Sequence, residues 1–66
     1  MRLTINGETA ELREGCRLAD YLEEHGYRQD IIAVERNRSI VPKSRYAEVL
    51  LQDGDEMEIV NFMGGG

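Results

Sequence analysis

Tryptophan is absent, and Cys16, His25, Pro42, Lys43 and Phe62 are each the only residue of their type among the 66. One cysteine excludes an internal disulfide framework, and one cysteine beside one histidine is too few soft ligands for a structural zinc site. Long hydrophobic runs are also missing. The opening stretch MRLTINGETAEL alternates polar with apolar residues, which fits neither a secretory signal nor a membrane span. Positive charge is scarce: 8 basic residues stand against 13 acidic ones, a formal net charge of -5. An electrostatic footprint for nucleic acid or an anionic membrane is therefore not expected, and a basic partner surface suits the chain better. A chain this short buries only roughly 60% of the surface it exposes when unfolded, which leaves little core for an enclosed active site. No paired histidines, cysteines or carboxylates suggest hydrolytic or metal chemistry, so no catalytic residue and no metal site is assigned. The expectation is a single small domain, monomeric on its own, in the cytosol.

What is present is ordered into short periodic segments. In RLTINGETAEL, Leu3 and Ile5 alternate with Arg2 and Thr4, Asn6-Gly7 tolerates the positive φ of a tight turn, and Ala10 and Leu12 resume the alternation. Residues 2–12 are read as a β-hairpin. The period then changes: Leu18, Tyr21, Leu22 and His25 fall at helical spacing, and Gly26 is placed to end the helix, giving a helix over about 17–25. A third strand comes next in DIIAVERN, with Ile32 and Val34 on one face. Residues 36–38 make a turn, SIVP is a short edge segment closed by Pro42, and RYAEVLLQDGD holds a brief strand or turn before the 53–55 loop. EMEIVNFM is the last strand. The order predicts an α+β domain with one main helix on one face of a mixed sheet of four to five strands.

The functional signal lies in the last strand and the glycines after it. Side chains alternate across a strand, so Met57 and Ile59 share one face while Glu56, Glu58, Val60 and Phe62 share the other. If Met57 and Ile59 face the helix, Val60 and Phe62 are apolar groups on the solvent side and form a candidate partner-binding patch. Scattered exposed apolar residues are the plainer alternative. Beyond them stand Gly64, Gly65 and Gly66. Glycine loses the most conformational entropy on ordering and has no side chain to pack, so these three do not serve the fold. They are either an uninformative end or a device for presenting the carboxylate of Gly66. The expected organisation is a folded domain over 1–63 and a flexible glycine tail over 64–66.

The element order, with a last strand running into Gly-Gly, resembles the ubiquitin-like β-grasp fold. The stretches AVERNRSIVP and RYAEVLLQDGDEMEIVNF and the closing GGG are similar to the ThiS family of sulfur carriers in thiamin biosynthesis. The resemblance implies a protein co-substrate rather than an enzyme. Its Gly66 carboxylate would be adenylated by a ThiF-like adenylyltransferase, become a thiocarboxylate with sulfur from a cysteine desulfurase or related donor, and deliver that sulfur to a ThiG-like thiazole synthase. No cofactor would be bound; ATP and Mg²⁺ would be used by the partner enzyme. Other carrier pathways, such as that of the molybdopterin-synthase small subunit, remain open at this point, as do a ubiquitin-like modifier and a β-grasp binding module with an inert end.

Glycine suits this chemistry. Without Cβ the acyl carbon of Gly66 is unhindered, and Gly64 and Gly65 would thread a channel too narrow for side chains. Three extended residues reach roughly 10 Å. The remaining conspicuous residues have plainer readings. Cys16 stands just before the helix where such families often place a Ser or Thr cap, and is read as a small buried side chain rather than a reactive thiol. His25 is read as a helix-end residue. Arg36, Arg38, Lys43 and Arg45 cluster without an acid, opposite in character to Asp53, Asp55, Glu56 and Glu58, and are read as a solvated face with internal pairing.

Overall fold

The computed structural model describes residues 1–62. Alternating Leu3 and Ile5 form strand β1 (Arg2–Ile5), and Asn6-Gly7 turns the chain into β2 (Glu8–Glu11). Both turn residues take positive φ, 52° and 81°, the conformation a two-residue hairpin connection requires. The helical period becomes α1 (Leu18–Glu24), which buries Leu18, Tyr21 and Leu22; Arg17 and His25 are its flanking caps. A 3₁₀ turn (Gln29–Ile31) leads into β3 (Ile32–Arg36), and Asn37 and Arg38, both at positive φ, return the chain as β4 (Ser39–Val41). Pro42 opens a second 3₁₀ turn (Lys43–Arg45), succeeded by an irregular segment and then β5 (Glu56–Asn61). The segment expected to hold a brief strand or turn therefore holds the turn; among the described residues its sheet-like contact is an isolated bridge between Leu50 and Arg17.

The five strands form one mixed sheet in the order β2-β1-β5-β3-β4. β5 is central, parallel to β1 and antiparallel to β3, while β1–β2 and β3–β4 are antiparallel hairpins. Where β1 ends, Asn6 extends the pairing: its Oδ1 accepts from the Ile59 amide at 2.8 Å, and its own amide donates to the Met57 carbonyl. One continuous core lies between sheet and helix, built from Leu3, Ile5, Ile32, Val34, Met57 and Ile59 of the strands and Leu18, Tyr21 and Leu22 of α1, with Cys16, Tyr46 and Leu51 from the connections. Burying each such side chain contributes about 1.5–3 kcal/mol.

The helix ends show how the connections hold the fold. No side chain caps the N-terminus. Instead, the first free amides, of Leu18 and Ala19, donate to the carbonyls of Val49 and Tyr46, and the Leu51 amide donates to the Cys16 carbonyl. The irregular 46–51 segment is thus the cap, and Cys16, 1% exposed, is free to be a core side chain. At the other end Gly26, at φ 76°, donates to the Glu23 carbonyl and Tyr27 to that of Leu22, the paired bonds of a Schellman motif. His25 adds a side-chain contact: Nδ1 lies 3.0 Å from the Tyr21 carbonyl, and its ring stacks on Tyr21 at 4.1 Å.

Candidate functional site

Helix α1 covers one face of the sheet, and the other is open. On β5, Met57 and Ile59 are buried, at 2% and 6%, while Val60 and Phe62 are each 56% exposed. The register places Val60 opposite Ala33 and Glu58 opposite Glu35, and Glu35 in turn opposite Ile40 of β4. Ile40, at 67% exposure, joins the patch, which the sequence pattern confines to Val60 and Phe62. Three residues of β4 are too few for alternation to reveal which way Ile40 points. A hollow of about 60 Å³ is lined by Ala33, Val34, Glu35, Ile40, Glu58 and Val60.

Toward the β1 side the same face turns acidic. Glu35, Glu56 and Glu58 line a wider hollow of about 280 Å³ with Thr4, Gly7 and Arg38. Like charges directly opposite one another across strands are unfavourable, and among the described residues none of these three carboxylates has an ion-pair partner. The two charged clusters read from the sequence are therefore each divided. Arg36 Nε meets Asp55 at 2.8 Å and Arg45 meets Glu48 at 3.0 Å, so the basic stretch does find acids, one of them nonlocal. Of the acidic stretch, Asp53 accepts from the Arg2 amide and Asp55 is buried, leaving Glu56 and Glu58 facing outward.

Among the described residues Asp55 is the one buried charged side chain. Burial alone would raise its pKa. Hydrogen bonds from Asn37 Nδ2, the Gln52 amide and Arg36 Nε, together with the Arg36 charge, outweigh that and hold the carboxyl below its usual range. This network fastens the β3–β4 turn to the entrance of β5. Burial pushes the Cys16 thiol up, which opposes the thiolate a nucleophile needs. Among the described residues no group of three or more histidine, cysteine or acidic side chains is placed to hold a metal, and no helix is long and apolar enough to cross a membrane.

Where β5 ends, the Phe62 amide still donates to the Ile31 carbonyl at 3.0 Å. Lys43 Nζ donates to the Ile32 carbonyl at 2.7 Å and stands 5.2 Å from the centre of the Phe62 ring. The sequence pattern places Lys43 in a basic cluster only, because the contact depends on a turn that brings it back across the end of β3. Val60, on the open face, and Phe62, just past the end of the central strand, are thus both exposed near its exit. Gly64, Gly65 and Gly66 lie outside the described residues.

Comparison with known proteins agrees with this architecture. The ThiS family model matches residues 3–66. A thiazole synthase of Paramagnetospirillum magneticum is 48% identical over all 66 residues, and the chain spans only 20% of the length of that protein. The sulfur carrier protein ThiS of Bacillus subtilis is 40% identical over 65 residues, covering 97% of this chain and 98% of that one. The crystal structure of the thiamine biosynthesis protein ThiS of Geobacter metallireducens superposes with a TM-score of 0.84 at 29% identity, covering the whole of both chains. With its β-grasp sheet, single helix and a family match running through the glycines, the chain belongs to the ThiS family.

Proposed function

We propose that the protein is a sulfur carrier for thiazole formation in thiamin biosynthesis, and that the Gly66 carboxylate is the group that carries the sulfur. The observation that carries this reading is the family match extending through Gly64, Gly65 and Gly66, downstream of a central strand whose exit presents Val60 and Phe62 to solvent. A carboxylate is resonance-stabilised, anionic and without a leaving group, so sulfur does not displace its oxygen directly. In the proposed sequence a carboxylate oxygen attacks the α-phosphorus of ATP and pyrophosphate leaves. Sulfide then attacks the acyl carbon of the adenylate and AMP departs, leaving the thiocarboxylate. A persulfide donor serves equally if a thiol cleaves the resulting acyl disulfide. The charge stabilisation of both steps, including Mg²⁺ at the phosphates, belongs to a ThiF-like adenylyltransferase with ATP as its substrate. The chain's part is to dock and to present: Val60, Phe62 and Ile40 supply apolar contact, and Gly65 and Gly64 the slender approach.

The thiazole synthase relatives, each spanned over 20% of its length, support a ThiG-like synthase as the recipient and favour thiazole formation over other carrier pathways. The test is ATP–pyrophosphate exchange with a candidate adenylyltransferase. Exchange dependent on the full chain, and lost with Gly66 deleted while the thermal transition is kept, is the expected result. Undiminished exchange without Gly66 would remove the assignment.

A further inference from the structure

Lys43 is the sole lysine of the sequence, and its surroundings are more specific than those of a solvated charge. In the β3–β4 ladder Val41 lies opposite Val34. Pro42 continues extended, at φ -63° and ψ 143°, so Lys43 arrives beside Ile32, the first residue of β3. The turn beginning there is anchored from below: the Tyr46 amide donates to the Lys43 carbonyl, and the Tyr46 side chain is 2% exposed in the core. From this anchored base the lysine stem reaches back over the end of β3. Nζ donates to the Ile32 carbonyl and stands 5.2 Å from the Phe62 ring and 5.9 Å from that of Tyr46. Both distances lie within the range over which an aromatic face attracts a cation. Ile32 is opposite Asn61, and Phe62 bonds Ile31, so the ammonium sits at the end of the sheet where β3 begins and β5 finishes.

We propose that Lys43 is a positioning residue that holds the half-exposed Phe62 ring in one place at the end of β5, ready to meet a partner. This rests on the carrier reading, because the placement of the ring matters to function only if a partner enzyme docks on it. Without the cation, the Phe62 amide stays fixed by Ile31 but its ring is free to exchange rotamers, and the ordering is then deferred to the complex. The consequence is a change in how well the protein binds as a substrate, not in the chemical step.

The experiment compares the wild type with Lys43→Met, which keeps the length of the stem without its charge, and Lys43→Arg, which keeps a cationic donor. By NMR, the ε-methylene protons of Lys43 are expected to show a ring-current displacement that shrinks in Phe62→Leu to what Tyr46 alone produces. With a candidate adenylyltransferase and the protein as varied substrate, Lys43→Met is expected to raise KM about two- to fivefold, the factor equivalent to one exposed cation–aromatic contact, with kcat unchanged and Lys43→Arg restoring the wild-type value. Absence of the Phe62-dependent part of the displacement, or an unchanged KM in Lys43→Met, overturns the proposal, as does a loss confined to kcat. If the displacement is present but the wild type is not adenylated, it is the carrier reading that has failed, and the presenting role of Lys43 falls with it.

Discussion

At the scale of single residues, Asp55 contributes most through chemistry that leaves no trace in local pattern. Its carboxylate collects Asn37, the Gln52 amide and Arg36, residues up to 19 positions away. Asp55→Ala leaves Arg36 and two donors without their acceptor, and we expect a loss of about 1–3 kcal/mol in denaturant unfolding. The pH dependence comes from a folded pKa below that of the unfolded chain. The contribution of Asp55 is complete above the ordinary carboxyl pKa and is lost as pH falls through the lower folded value, so the difference between wild type and Asp55→Asn should shrink on acidification. Apolar residues are far more legible: alternation alone assigns Leu3, Ile5, Ile32, Val34, Met57 and Ile59 to the core. Cys16 reads correctly as buried, but the N-cap position is held by Arg17, and the first helix amides are satisfied by the carbonyls of Tyr46 and Val49, about thirty residues on, which no local signal reveals.

At the scale of elements, hairpin and helix are legible because each is closed by a residue with one conformational job. Gly26 is the clearest case. A Cβ there would meet nothing within 4 Å, so the cost of Gly26→Ala is in its φ of 76° rather than in sterics. We expect a loss of about 1 kcal/mol, seen as a lower thermal midpoint, with Gly26→Asn milder. Strand β5 is equally legible in its alternation, and the structure bears out its division into a buried and an exposed face. Phe62→Asp should therefore leave the unfolding transition in place while weakening binding to an adenylyltransferase about tenfold or more in titration calorimetry. Unchanged affinity would remove the patch, and collapse of the fold would mean that Phe62 serves the core. Ile40 and Lys43 escape sequence reading for a common reason. Each acts across strands from a segment of three residues, too short to show a period.

At the scale of the whole molecule, the order of the strands cannot be read from their order along the chain. That β5 pairs with both β1 and β3, and so places the last strand at the middle of the sheet, is a matter of long-range pairing alone. This placement gives the functional account its physical basis: the last strand is held on both sides, and its exposed residues sit beside those of β3 and β4 on one open, largely acidic face. The charge of -5 is likewise not spread evenly, since Arg36 and Arg45 are paired with Asp55 and Glu48 while Glu35, Glu56 and Glu58 are left facing outward. The central claim remains chemical. Its most direct test is the intact mass of the protein after incubation with a candidate adenylyltransferase, Mg·ATP and a sulfur source, beside a sample lacking Gly66. The expected result is a gain equal to exchanging one carboxylate oxygen for sulfur, mapped to Gly66 and absent from the shortened chain. An unchanged mass with an adenylyltransferase and sulfur donor that are active on another ThiS protein, or a gain that survives the loss of Gly66, would contradict it.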